Sequence, residues 1–435
     1  MVILIMGIFL SQPLLMSLVF LAGLIIALTF LHNVKWGIFL ILLIRPSIDK
    51  FSEQVTINLG RNLHFNAAAI FGILVVFLLF IFLFKHRKKM SEMPLKKPWF
   101  LLLLVVIISI FISIEKISSI YEIIKLLSVF LVFSSIYIIV KKEKKISVAL
   151  YAIIFSSLVP FLFATYQLIT RSGLGGSEGV ESRLFGTFSH SNSFASFVVI
   201  VFSLSLYLIF QEKNQWLKWL LGAFIAWEML ILEQTYARGA WLALLIFLFI
   251  VMLKKSPKIL LAIILMSTAL FFFSETIHDR VEDIYNPPAD SSVRWRFAQW
   301  GKMYGAYLKK PLTGYGFGTE TVVHEREFGF NAGNQYTHND PLRLALETGI
   351  FGFLIYCVYI YSIFIRLAIS YMKEKNPLFK DFNLFTLALF IAILSYSLTN
   401  NTLHETVTQW TLWAIIGTSL ALSSLSQNKF KDSSR

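Results

Sequence analysis

The chain has 435 residues, of which 57% are hydrophobic and 15% charged, with a mean hydropathy of +0.70. So little polar surface cannot cover a water-soluble globule, and the composition points to a polytopic membrane protein. The net charge of +14 does not signal a nucleic-acid partner. Its lysines and arginines gather at the ends of apolar runs, where they set topology and meet anionic headgroups.

The apolar runs are about 17 to 25 residues long, enough for a helix to cross roughly 30 Å of hydrocarbon. They lack the alternation of barrel strands. The fold class expected is therefore an all-α polytopic membrane protein with about 12 to 14 transmembrane helices and one large extracytoplasmic loop before the last three. The single cysteine, Cys357, sits inside an apolar run and excludes an intrachain disulfide and a cysteine-cluster metal site.

The chain opens on Met1-Val2-Ile3-Leu4 without a basic region or small-residue cleavage site, so no removable signal peptide is expected. Residues 2–31 are apolar except at Ser11-Gln12-Pro13, where proline kinks or divides the segment into one crossing or two. A short run from Trp36 to Ile44 and a polar loop from Arg45 to Asn66 follow. Spans are then expected near 66–84, 98–114, 119–140, 147–169, 193–210, 216–233, 239–253 and 257–274, and after a long loop near 342–366, 382–399 and 406–425.

The connections fall into two kinds. Those at Lys85–Lys97, Lys141–Lys145, Gln211–Lys218, Lys254–Lys258 and Arg366–Lys380, together with the tail after Gln427, hold more than half of the 39 Lys and Arg. The positive-inside rule makes them cytoplasmic. The others, Glu115–Ser118, Arg171–Asn192, Gln234–Arg238, Glu275–Pro341 and Asn400–Glu405, then face outward, and they carry the polar clusters. The glycine-rich stretch from Ser172 to Ser182 reads as a mobile loop.

Several outward residues can do chemistry. Arg183 precedes a helix whose N-terminus would present free N–H groups to an anion. Alternatively Ser189, Ser191 or Asn192 caps that helix and Arg183 meets lipid phosphates. Arg238 begins a span among small residues, as a buried anion contact or as a side chain snorkelling to headgroups. Arg294 and Arg296 precede Trp300 on an amphipathic helix and, two positions apart, do not share its face. One binds a ligand or phosphate while the other is solvated.

His338, in Tyr336-Thr337-His338-Asn339-Asp340, lies in a polar turn at the start of a helix. Its ordinary pKa near about 6.5 suits a base at neutral pH, with Asp340 or Glu347 to orient the ring or stabilise its charged form. The bland alternative is a structural histidine. The sequence has no ligand-spaced histidine pair near His338, no nucleophile elbow and no phosphate-binding loop signature. Arginines and a histidine facing one way suit a diphosphate leaving group and a general base that activates an alcohol. Outside the cytoplasm a lipid-linked diphosphate is the plausible donor.

At these residues the chain resembles the O-antigen ligase and polymerase family of bacterial surface-glycan assembly. The matching pieces are Arg183-Leu184-Phe185-Gly186-Thr187-Phe188 with Asn192, then Ala237-Arg238-Gly239-Ala240, then Arg296-Phe297-Ala298-Gln299-Trp300. Pro311-Leu312-Thr313-Gly314-Tyr315-Gly316-Phe317-Gly318, His338-Asn339-Asp340 and Glu347-Thr348-Gly349-Ile350-Phe351-Gly352 complete them. Ser189-His190-Ser191-Asn192 stands where the family commonly has Gly-Asn-Pro-Asn.

The resemblance implies a GT-C-like, metal-independent, cofactor-free glycosyltransferase in the bacterial cytoplasmic membrane, acting on undecaprenyl-diphosphate-linked glycan outside the cytoplasm. Its partners would be that donor, a lipid-linked or surface glycan acceptor, the bilayer and other polysaccharide-assembly proteins. Carried over, Arg238 and Arg296 resemble the diphosphate-binding arginines and His338 the catalytic histidine; apart from the resemblance, Arg183, Arg294, Asn339 and Asp340 are expected as substrate-binding residues. Residues 1–180 would be N-terminal helices, 181–425 the core with its loop at 275–341, and 426–435 a cytoplasmic tail. Polymerase and ligase share this chemistry. The rival class is a transporter or flippase of lipid-linked oligosaccharide, for which ionisable residues in or near spans, such as Glu122, Lys125, Glu228 and Glu233, would matter.

Overall fold

The computed structural model describes residues 12–52, 56–58, 64–144, 146–174, 182–273, 286, 292–329 and 336–433. The expectations for residues 1–11, for most of the glycine-rich loop, for 274–285, 287–291 and 330–335 of the long loop, and for the last two residues lie outside these. Within the described residues the chain is helical apart from one small antiparallel pair, Thr56–Asn58 with His64–Asn66. A helix satisfies its own backbone hydrogen bonds, which hydrocarbon cannot do.

Seven of the described helices are long and apolar enough to cross a membrane: Ala67–Lys85, Lys116–Glu143, Ala149–Thr170, Ser191–Gln211, Gln215–Glu233, Asp340–Lys373 and Pro377–Tyr396. Lys96–Ile108, Arg238–Lys255, Pro257–Phe273 and Thr406–Ser433 lie where further spans were expected. Starts are set by side chains that accept free N–H groups, among them Asn66 from Ala69 at 2.9 Å, Asn214 from Trp216 at 2.9 Å and Asn339 from Leu342 at 2.9 Å.

The centre is a pair formed by Lys116–Glu143 and Thr406–Ser433, against which Ala67–Lys85, Lys96–Ile108, Ser191–Gln211, Asp340–Lys373 and Pro377–Tyr396 pack. An aromatic knot ties it together: Trp99 lies 4.8 Å from Trp413 and 5.1 Å from Tyr359, and Phe133 lies 5.1 Å from Trp413, between ring centroids. Phe77, Phe80, Phe100, Trp216, Trp219 and Leu265 are exposed on the outside, the surface that a lipid environment would cover.

The two kinds of connection separate to the two ends. At one end Lys35 pairs with Glu143 at 3.4 Å, Lys141 with Glu92 at 2.9 Å, and Asp381 with Gln211 at 2.9 Å and with Lys255. At the other, the N–H of Leu184 donates to the carbonyl of Gln234 at 3.0 Å and that of Asp340 to Ser397 at 3.0 Å.

Asp340–Lys373 is not one continuous helix. Gly349 takes φ 65° and ψ −173°, a break that the expected span at 342–366 did not anticipate. The Pro311–Gly318 turn fills it. The freed carbonyls of Leu346 and Glu347 accept from Tyr315 at 3.1 Å and Gly316 at 2.8 Å, and Ile350 donates to Pro311 at 2.8 Å. A Cβ on Gly314 would fall 2.5 Å from the Glu347 carbonyl, so that glycine serves close packing rather than ligand binding.

Candidate active site

Arg183 pairs with Leu174 in a bridge and reaches the Gln234–Arg238 connection as well as the end of its own. Its Nε donates to the Thr235 carbonyl at 2.9 Å and its Nη2 to Asn192 Oδ1 at 3.0 Å. Asn192 passes the link on: its Nδ2 donates to Asn400 Oδ1 at 2.9 Å, and its carbonyl accepts from the Tyr396 hydroxyl at 2.9 Å. The helix that begins here is capped by His190, whose Nδ1 accepts from the Asn192 N–H at 3.1 Å. The expected serine or asparagine cap is thus replaced by an imidazole, and a neutral His190 must carry its proton on Nε2.

Arg238 opens its helix two residues after Tyr236, which has φ 52°. The next residue, Gly239, packs so tightly on Pro377–Tyr396 that a Cβ would lie 2.8 Å from Thr399 Oγ1 and 3.0 Å from the Tyr396 ring. Arg238 therefore starts beside the tyrosine that reaches Asn192. Arg294 and Arg296 both lie on Ser292–Lys309, and they separate as expected: Arg296 is half-buried and Arg294 exposed. Trp300 seats this helix on the histidine turn by donating to the Thr337 carbonyl at 2.7 Å.

His338 is half-buried in a left-handed backbone conformation, φ 52°. Its ring centroid is 6.5 Å from that of His190. Burial, then the charge of Arg296, then His190 hold its pKa down to about 3. Burial, then Arg183, then Arg296 hold His190 down to about 4. The same two guanidiniums also act on Tyr396. Arg183, Arg296, His190 and His338 thus share one electrostatic neighbourhood in which both imidazoles are neutral at neutral pH. Three helices, Ser191–Gln211, Arg238–Lys255 and Asp340–Lys373, begin at this end of the bundle and direct their positive dipole ends toward it.

The residues after His338 are fixed by the chain near its last helix. The Asn339 N–H donates to Asn401 Oδ1 at 3.0 Å. Asp340 is fully buried, and its Oδ2 accepts from Thr402 at 2.7 Å and from the Leu403 N–H at 3.1 Å. The carboxylate of Glu347 accepts from Arg343 Nε at 3.2 Å and from the Glu320 N–H at 3.1 Å. Asp340 and Glu347, expected beside the His338 ring, thus take part in helix docking and ion pairing.

A buried ionic network lies under the turn. Arg343 bonds Glu122 at 2.9 Å as well as Glu347, Glu122 pairs with Lys125 at 2.6 Å, and His404 Nδ1 meets Glu122 at 3.1 Å. Burial lowers the pKa of His404 against the pull of Glu122. Arg343, Glu320 and His404 escaped the sequence reading. The available signal was Arg343 and Glu347 four residues apart on one helix face.

Of the residues expected at the site, Arg183, Arg296 and His338 come together, Arg238 begins beside Tyr396, Asn339 and Asp340 anchor the histidine turn, and Arg294 lies on the exposed face. Residues 227–357 match the family model described as O-antigen ligase, which bears out the resemblance read from the sequence. The match takes in Arg238, Arg294, Arg296 and His338 and leaves Arg183 and His190 outside it. No curated protein matches the chain. The family supports a ligase- or polymerase-type activity for a multi-pass membrane protein.

Proposed function

We propose that the protein is a membrane glycosyltransferase that moves a glycan from an undecaprenyl-diphosphate-linked donor to a sugar hydroxyl, polymerising or ligating a surface polysaccharide outside the cytoplasm. The observation that carries this reading is the approach of the His190 and His338 rings to 6.5 Å at one end of the bundle, with Arg183 held there by Asn192 and Arg296 acting on both imidazoles. Such a site is charged for a polyanion before the anion arrives.

In the proposed reaction Arg238 and Arg296 take the developing charge of the departing diphosphate, with Arg183 beside them, so no metal ion is needed for that role. The acceptor hydroxyl attacks the anomeric carbon as the bond from that carbon to the diphosphate oxygen breaks, and the hydroxyl proton passes to His338. Burial and, after it, the charge of Arg296 keep His338 neutral, and the second of these is offset when a diphosphate sits among the guanidiniums. The base therefore gains strength as the donor binds, and stays neutral and ready until then.

A direct test incubates the purified protein in detergent with a lipid-linked glycan and an acceptor. Lengthened or transferred glycan, formed with no second compartment, is the expected result. Movement of lipid-linked oligosaccharide across vesicles by a protein that makes no product in detergent would replace this reading with a transporter.

A further inference from the structure

His338 adopts a backbone conformation that L residues rarely hold unless their surroundings impose it. Here both flanking peptide units are tied down. On the N-terminal side, the Thr337 N–H and hydroxyl both donate to Oε1 of Glu320, and the Thr337 carbonyl accepts from Trp300. On the C-terminal side, the Asn339 N–H donates to Asn401. The two clamps are one unit, because Asn401 Nδ2 donates to Glu320 Oε2 at 2.8 Å and Oε1 at 3.1 Å.

Glu320 is only 3% exposed, and a buried carboxylate is retained at a cost unless its oxygens are satisfied. Its oxygens accept from Thr337 and Asn401, its N–H donates to Glu347 at 3.1 Å, and Arg343 lies 3.6 Å away. None of these partners is the substrate. The carboxylate faces the backbone of the histidine turn and is braced from behind by the ionic network.

We infer that Glu320 and Asn401 are positioning residues of the transfer reaction: joined to each other, they grip Thr337 and Asn339 and thereby aim the His338 imidazole. This rests on the reading of His338 as the base. Releasing the grip lets the backbone of residue 338 relax toward an ordinary conformation, which displaces the ring while leaving the arginines in place. A displacement of about 1 Å at a reacting group can cost on the order of a hundredfold in rate.

The test measures kcat, donor Kd and thermal stability on the full-length, detergent-purified protein for Thr337→Val, Thr337→Ser, Asn401→Ala and Glu320→Ala. Thr337→Val and Asn401→Ala are expected to lower kcat by about ten- to a hundredfold while donor Kd changes by less than about threefold. Thr337→Ser, which keeps the hydroxyl bond, should recover most of the lost turnover. Because Glu320 and Thr337 act through one contact, Glu320→Ala combined with Thr337→Val should be no slower than Glu320→Ala alone. Wild-type kcat in Thr337→Val and Asn401→Ala, with His338→Ala inactive, would overturn the clamp and leave the base assignment standing. Donor affinity falling in step with kcat would equally overturn it, since the residues would then be binding groups or folding determinants. Full activity in His338→Ala would remove the base assignment first, and the clamp with it.

Discussion

The rings of His190 and His338 lie 6.5 Å apart between centroids, each within the field of Arg296, although they come from opposite halves of the chain. One caps a helix and the other sits in a clamped turn, so backbone geometry places both. Their shared surroundings favour the uncharged form of both.

That preference gives a pH dependence of stability. Both folded pKa values, about 4 and about 3, lie below the ordinary histidine value of 6.5. Between those limits the unfolded chain binds more protons, so the stability is fully present above the ordinary value and is lost as pH falls toward the folded ones. Thermal unfolding in detergent should therefore drop steadily from pH 7 to about pH 4.5, among other acid-labile contributions. His190→Asn, which keeps a capping side chain, should flatten that slope. An unchanged slope would count against the buried neutral histidine.

The neighbouring arginines separate by face. Arg296→Ala is expected to lower transfer by about a hundredfold or more, the scale of losing one preorganised charge partner. Arg294→Ala, on the exposed face, should stay within about threefold. Glycan transfer by equal amounts of the two variants checks this, and the reverse ranking would reassign the diphosphate contact.

Arg183 donates in two directions, to the Thr235 carbonyl and to Asn192. A lysine has no planar fork to do both at these positions. Arg183→Lys is therefore expected to behave nearly as poorly as Arg183→Ala, weakening donor binding by about tenfold, as read by KM for the donor.

The break at Gly349 is a folding requirement. With φ 65° and the Leu312 carbonyl directly where a Cβ would go, Gly349→Ala should destabilise by about 2 kcal/mol or more. Gly72, with open space around it, is the matched control, for which alanine should cause no loss. Thermal unfolding of the two variants side by side measures the difference.

The spans were legible because hydrocarbon length and charge placement act locally, residue by residue. Ser191–Gln211, Gln215–Glu233 and Arg238–Lys255 begin and end within about two residues of where apolar periodicity and basic termini put them. Arg183, Arg296 and His338 were also legible as candidates, since polar residues at one face of an apolar chain stand out. The pairings were not legible. Glu122 and Arg343 come from widely separated helices, and no periodicity links them. Glu122 and Lys125 therefore read as in-span charges of the kind a transporter uses, whereas they belong to the network that braces the histidine turn. Gly349 gave no sign of its break because glycine inside an apolar helix is often tolerated, and only the docked Pro311–Gly318 turn explains it.

The central claim, a proton-accepting His338 among diphosphate-binding arginines, is tested most directly by measuring donor binding and glycan transfer on the same purified preparations of His338→Ala and Arg238→Ala. The account predicts that His338→Ala binds the lipid-linked donor at close to wild-type affinity yet transfers no glycan, while Arg238→Ala loses both. Glycan transfer at the wild-type rate by His338→Ala would contradict it.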